Sequence, residues 1–247
     1  MVPIRATTTL VGLLAWPASH SLSPPMQNAG FAALGLDWAY VPLPTPPERL
    51  GDAVRGLVAT GFAGANVTIP HKTAVLDHCD EVEADAAAAS SVNTLRIVDG
   101  RVLGSSTDIA ALRAAFDAGG RRVLVLGRGG AAKAAAQAYR GAGAAEVVLA
   151  GRRDVGWPPS PEGFDAVVNC TPLSDEAVVT LTGHEAVVDM AYRPDGRETA
   201  LVAAARAAGC ACIVDGLDLL LAQGAVSFAR WTGVAAPLEA MRAGLRQ

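Results

Sequence analysis

An α/β fold in two domains is what this sequence predicts. Short apolar runs alternate with stretches of helical spacing, and a glycine-rich loop lies between one such run and an alanine-rich helix. The 247 residues are 51% hydrophobic and 18% charged, which is enough chain and apolar surface for a folded core rather than disorder. Continuous apolar strands separated by helices point to a parallel sheet covered on both faces.

Residues 9–14 read as a strand, and 25–34 as a helix with Met26, Ala29, Phe31, Ala33 and Leu34 toward the core. Residues 38–42 read as a second strand, and 47–59 as a helix ended by Gly61. Residues 64–69 form a strand stopped by Pro70, and 73–79 and 82–89 have helical character. Residues 91–98 and 101–104 pair as a hairpin turning at Asp99-Gly100. The composition then shifts. Residues 121–126 are an apolar, β-rich run, followed by the glycine loop, a helix to about Arg140 and a strand at 146–150. Residues 165–170, 186–190 and 210–214 read as further buried strands, and 223–243 as closing helices. Residues 151–163 contain Pro158, Pro159 and Pro161 and leave little room for a crossover helix. One domain is placed at residues 1–104 plus 223–247 and the other at 105–222, with hinges near Gly104 and Gly216.

Charge and composition exclude several classes. Lys and Arg number 20 against 24 Asp and Glu, so the net charge of −4 provides no field for nucleic acid. No apolar run reaches about 18 residues without a charge, so no membrane span is expected. The apolar run at 9–16 lacks a basic cluster and a cleavage site, so it is not read as a signal peptide. Cys79, Cys170, Cys210 and Cys212 form no CxxC pair, which fits a reducing cytoplasm. His20, His71, His78 and His184 lack ligand spacing, so no metal is expected.

Gly127-Arg128-Gly129-Gly130-Ala131-Ala132 fits GxGxxA between a strand and a helix. Glycines there permit a tight turn and close approach of backbone to a pyrophosphate, and the helix N-terminus supplies N–H groups. The same pattern also serves as a ligand-free βα turn. NAD-binding folds usually end the next strand with an acid for the ribose 2′-hydroxyl. Here Arg152 and Arg153 stand at that place, and guanidiniums suit a 2′-phosphate, so NADP is the expected cofactor. Asp154 follows at once, and a shift of register would let it serve NAD instead.

The first half supplies polar residues at element ends. Ser21 and Ser23 precede a helix; in an extended segment both point one way, and either is also a candidate N-cap. Asn66, Thr68 and Lys72 end a buried strand, and Asp108 sits where a helix N-cap would.

Taken together, these pieces resemble the shikimate dehydrogenase family over nearly the whole chain. The motifs are Ser19-His20-Ser21-Leu22-Ser23-Pro24, Gly64-Ala65-Asn66-Val67-Thr68-Ile69-Pro70-His71-Lys72, Ser91-Val92-Asn93-Thr94 and the glycine loop. Later come Asn169-Cys170-Thr171-Pro172, Asp189-Met190-Ala191-Tyr192, Asp215-Gly216-Leu217 and Gln223. The resemblance implies an N-terminal α/β substrate-binding domain and a Rossmann-like, doubly wound domain for NADP. It implies reversible reduction of 3-dehydroshikimate to shikimate by hydride transfer, with Lys72 and Asp108 as the acid–base pair. A lysine can move the hydroxyl proton while a carboxylate orients it. By the same resemblance Ser21 and Ser23 hold the substrate carboxylate; Thr68, Asn93 and Gln223 hold ring hydroxyls, and Tyr192 lies nearby. Gly127, Gly129, Gly130, Ala131, Arg152, Arg153 and Thr171 would meet the cofactor. A cytoplasmic monomer or homodimer acting on a small polyhydroxy acid is implied.

Several residues depart from that pattern. The Gly after the family's aspartate is here Ile109, which would crowd the cofactor side. Gly151-Arg152-Arg153 replaces Asn-Arg-Thr, Ser174-Asp175 replaces Gly-Met near the nicotinamide, and Asp218-Leu219 replaces a second Gly-Met. A carboxylate beside a nicotinamide would favour the oxidised ring. These departures leave open a paralogue acting on quinate, aminoshikimate or a related metabolite, or a non-catalytic binder of a shikimate-like acid.

Overall fold

The computed structural model describes residues 4–246, and the chain forms two compact units. The first contains the chain through Thr107 and again from Leu221; the second is Asp108–Leu220. In order, the elements up to the first crossing are β1 (Thr9–Ala15), α1 (Ser23–Ala33), β2 (Trp38–Pro44), α2 (Leu50–Ala59) and β3 (Gly64–Val67). They continue with β4 (Glu81–Val82), α3 (Ala84–Ala89), β5 (Thr94–Val98), β6 (Arg101–Ser105) and α4 (Thr107–Ala115). Then come β7 (Arg122–Leu126), α5 (Gly130–Gly141), β8 (Glu146–Ala150), β9 (Ala166–Asn169) and β10 (Ala186–Asp189). The chain ends with α6 (Ala200–Ala208), β11 (Ile213–Val214), α7 (Gly216–Thr232) and α8 (Leu238–Gly244). Among the described residues no helix is long and apolar enough to cross a membrane.

The first unit is built on a six-stranded mixed sheet in the order β2-β1-β3-β5-β6-β4. β1 pairs in parallel with β2 and β3, and β5 runs antiparallel to β3 and β6. The β5–β6 turn places Asp99 at φ +51° and Gly100 at φ +75°, the paired left-handed residues that close a two-residue hairpin. One core cluster packs Leu50, Val54 and Leu57 of α2 with Leu14, Val67, Leu95 and Val102. Phe31 of α1 stacks on Phe228 of α7 at 5.0 Å between ring centroids, and Met241 of α8 is wholly buried.

The second unit is an all-parallel sheet in the order β11-β10-β9-β7-β8. β7 lies between β8 and β9, so strand order reverses there, and the loop after β7 opens at the topological switch point. Residues 151–165 contain no helix, as the prolines implied. Residues 170–185 contain none either, and Leu173, Val178, Val179 and Leu181 pack on the strand residues there instead. The fold class is α/β with a Rossmann-like second unit.

Four assignments from sequence are corrected by the structure. Val82 is not helical: Glu81–Val82 pairs with Leu103–Gly104 at the sheet edge, and Glu83 is still extended before α3 starts. Residues 73–79 form only a 3-10 turn over Ala74–His78. Strand β11 is confined to Ile213–Val214. Helix α7 starts at Gly216 rather than at 223, because the Asp215 carboxylate accepts the N–H of Asp218 (2.8 Å) and caps its first turn.

Candidate active site

In the first unit the register brings the polar residues of the sequence motifs to one end of the sheet. Leu14 pairs with Val67, so β1 and β3 end side by side, and the N–H of Thr68 extends the ladder to Leu14 O (3.0 Å). β5 enters at that end opposite β3, with Thr94 facing Asn66, and β6 leaves there with Ser105 facing Thr94. The turn after β3 is tied down by the N–H of His71 to Thr68 O (2.8 Å). The His71 ring is 1% exposed, with Nε2 2.8 Å from Thr45 O. Lys72 O accepts the N–H of Val92 (2.8 Å), so the lysine's backbone is anchored one residue before Asn93.

Around Asn93 lies a buried polar network. Asn66 Nδ2 donates to Asn93 O (3.1 Å), Thr94 Oγ1 (3.1 Å) and Ser227 Oγ (3.0 Å), and Asn66 Oδ1 accepts from Tyr40 OH (3.0 Å). Asn93 Oδ1 accepts from the N–H of Thr107 (2.7 Å) and from the hydroxyls of Thr107 and Thr94 (3.1 Å each). With Oδ1 fixed by three donors, the Asn93 amide nitrogen is oriented, and it reaches Gln223 Oε1 at 3.4 Å. Buried polar groups satisfied in this way hold one arrangement and are costly to disturb. Thr68, Lys72, Asn93 and Gln223 therefore stand on anchored backbone or in the network itself. Ser227 and Tyr40 belong to none of the sequence motifs. Ser227 lies one helical turn after Gln223 on α7, and a serine at i+4 from a glutamine on an apolar helix is the signal that marks it.

Ser21 and Ser23 follow β1 at the same sheet end, where the N–H of Trp16 meets Ile69 O (3.1 Å). Their expected extended alternation is incorrect: Leu22, the N-cap of α1, has φ −86° and ψ −1°, and Ser23 is already in the helix. Ser21 Oγ accepts the N–H of Ser23 (3.2 Å), and Ser23 is buried. Asp108 is likewise not an N-cap. Helix α4 begins at Thr107, and Asp108 is a buried first-turn residue within it. Ile109 beside it is also buried.

The second unit positions the glycine loop. Gly127 has φ +123°, a conformation that favours glycine, and its N–H donates to Ala150 O (2.7 Å). A Cβ there would stand 3.2 Å from Cys170 O, whereas one on Gly129 would meet nothing within 4 Å. Gly129 is the extended N-cap of α5 and makes no side-chain cap, and Gly130 and Ala131 open the helix. A backbone cradle open at Gly129, uncapped N–H groups and the exposed Arg152 and Arg153 after β8 fit the diphosphate and 2′-phosphate of NADP. Thr171 is buried, and its N–H and hydroxyl both donate to Asn169 Oδ1 (3.0 and 2.7 Å). Asn169 Nδ2 in turn donates to Asp189 (2.9 Å), whose other oxygen accepts from Thr199 (2.5 Å). Burial pushes the Asp189 carboxyl above the usual range despite these bonds. These motif residues thus brace the ends of β9 and β10. Tyr192 is half-buried just beyond β10. Asp175, which departs from the family pattern, is an exposed carboxylate paired with the Arg193 guanidinium.

Comparison with known proteins gives consistent matches. Residues 13–95 match the family model of the shikimate dehydrogenase substrate binding domain, and residues 216–246 match that of the shikimate 5'-dehydrogenase C-terminal domain. A protein of Rubrobacter xylanophilus named shikimate dehydrogenase (NADP(+)) is 42% identical, over 98% of this chain and 97% of its own. A solved shikimate dehydrogenase in complex with NADP+ superposes with a TM-score of 0.89 at 31% identity, covering 98% of this chain and 96% of that one. The Thermus thermophilus shikimate 5-dehydrogenase in complex with NADP(H) and shikimate gives 0.82 at 32%, covering 97% and 99%. Identity at this level across nearly the full length of both chains places this protein in the shikimate dehydrogenase family.

Proposed function

We propose that this protein is an NADP-dependent oxidoreductase that reversibly reduces 3-dehydroshikimate to shikimate. The relative from Rubrobacter xylanophilus is named shikimate dehydrogenase (NADP(+)), and the Thermus thermophilus structure holds both shikimate and NADP(H). The observation that carries the reading is the oriented Asn93 amide, held by Thr107 and Thr94 at the strand end that also carries Thr68 and Lys72. A fixed amide with hydroxyls around it suits a ring bearing several hydroxyl groups.

In this reading Thr68, Asn93 and Gln223 bind ring hydroxyls, Ser21 and Ser23 bind the carboxylate, and Tyr192 contributes to the substrate side. Gly127, Gly129, Gly130, Ala131 and Thr171 line the dinucleotide, with Arg152 and Arg153 on the 2′-phosphate. NADPH, when bound, supplies the hydride. Lys72 donates a proton to the carbonyl oxygen as the carbon is reduced, and in the reverse direction its amine takes the hydroxyl proton. Asp108 orients that exchange. The first unit, expected from sequence at 1–104 with 223–247 and observed through Thr107 and again from Leu221, serves the substrate, and the second, Asp108–Leu220, the nucleotide. The protein acts in the cytoplasm as a monomer or homodimer, without nucleic acid or membrane. The net charge of −4 and the lack of any disulfide among Cys79, Cys170, Cys210 and Cys212 support this setting.

Lys72→Ala tests the assignment. Turnover should fall by roughly 10²-fold or more, while calorimetry still finds shikimate bound within about tenfold of the unaltered affinity, a factor worth about 1.4 kcal/mol. Unchanged turnover would remove Lys72 from the mechanism.

A further inference from the structure

The turn after β8 resolves a conflict that the sequence leaves open. Asp154 lies three residues beyond Gly151, yet its carboxylate folds back to the strand end, where Oδ2 accepts the N–H of Gly151 (2.8 Å). An acid at the end of this strand is the group that takes the ribose 2′-hydroxyl in NAD-binding folds. Here it is already occupied. The Arg128 guanidinium, from the glycine loop, donates from Nε to both carboxylate oxygens (3.0 and 2.9 Å) and from its terminal nitrogen to Oδ2 (2.6 Å). The same terminal nitrogen meets Leu149 O at 3.3 Å. Gly151 makes the arrangement possible, because a Cβ there would stand 2.9 Å from Arg128 Cγ and 3.0 Å from Cδ. Arg128 and Asp154 cancel in charge, and Arg152 and Arg153 remain exposed beside them.

We infer that Arg128 selects the cofactor: by holding the Asp154 carboxylate, it keeps that acid from a 2′-hydroxyl and from repelling a 2′-phosphate, and so sets a preference for NADP over NAD. The inference rests on the dinucleotide reading above. With Asp154 released, the turn would present one carboxylate against two guanidiniums, and the advantage of a phosphate over a hydroxyl would shrink.

Calorimetry of NADP and NAD binding to the full-length protein and to Arg128→Ala, Asp154→Asn and the double variant tests this without catalysis. Both side chains lie at the surface, and thermal melting checks that each variant is folded. Arg128→Ala should lower the NADP:NAD affinity ratio by roughly tenfold or more, about 1.4 kcal/mol. Asp154→Asn should keep the ratio within about threefold, and the double variant should return to that of Asp154→Asn. An equal loss in the single and double variants would make Arg128 a direct phosphate contact and overturn the inference. So would a ratio unmoved by Arg128→Ala. Failure of the unaltered protein to bind either dinucleotide would overturn the dinucleotide reading itself and this inference with it.

Discussion

Replacing Asn66 by Asp changes no volume but exchanges a donor for an acceptor at the centre of the polar network. The Asn66 amide nitrogen donates to Asn93 O, Thr94 Oγ1 and Ser227 Oγ, and the residue is only 5% exposed. The two hydroxyls can reorient toward a carboxylate; the Asn93 carbonyl cannot. An ionised Asp at position 66 would therefore be a buried, partly unpaired charge, costing about 3–5 kcal/mol. The alternative is protonation. From an unfolded value near 3.9, staying neutral at pH 7 costs about 1.4 kcal/mol for each of about three pH units, or about 4 kcal/mol. Both routes give a loss of about 4 kcal/mol at neutral pH. The folded pKa would be raised above the unfolded one, so the penalty is absent below the unfolded pKa and grows as pH rises toward the folded value. Urea unfolding of Asn66→Asp and the unaltered protein, compared at each pH from 4 to 7, reads this directly. The difference should shrink to about 1 kcal/mol near pH 4, the residue of the lost bonds. A difference that stays constant with pH, or one below about 1 kcal/mol at pH 7, would refute the reasoning that Asn66 is an obligatory buried donor.

Two further outcomes follow from packing and charge. Gly64→Ala would drive a Cβ into Leu95 O and to 2.6 Å from Trp231 Nε1, where the indole N–H donates to that same carbonyl at 2.9 Å. The urea midpoint should fall by the equivalent of at least about 2 kcal/mol, and a midpoint within error of the unaltered protein would contradict the contact. Burial raises the Glu185 carboxyl, but its own backbone N–H, the Thr182 hydroxyl and the N–H groups of Thr182 and Gly183 more than offset it, holding it below the usual range. Its contribution is present above the unfolded pKa and lost as pH falls through the lower folded pKa. Glu185→Gln should cost about 1–3 kcal/mol at pH 7, with the difference closing in acid, and a cost that grows as pH falls would reverse the sign argued here.

The sequence was most legible where local chemistry and fold agree. The hairpin at Asp99-Gly100, the strand–glycine-loop–helix of the second unit and the prolines that exclude a helix after β8 all appear as read. Errors arose where a distant partner decides. Val82 is drawn into a sheet edge by Gly104 of β6, 22 residues away, against the helical pattern of the alanines that follow it. The start of α7 is decided locally instead, by the Asp215 side chain that accepts the Asp218 N–H, a cap that the run Gly216–Leu221 does not by itself announce. The site shows the same division. Motif residues such as Asn93 and Lys72 stand out by type and spacing, but Ser227 joins them only through a contact that spans 161 residues to Asn66. Asp154 illustrates the limit most clearly: its carboxylate reaches the strand end that sequence position denies it, and Arg128 then occupies it.

The most direct test is the initial rate of absorbance change at the reduced-nicotinamide band, with purified protein, shikimate and NADP, and with quinate and NAD in parallel. The account predicts reduction of NADP by shikimate, at a kcat/KM well above that of any other pairing. No reduction with any pair, while calorimetry finds shikimate bound, would contradict it and leave a protein that keeps the polyol site without the hydride transfer.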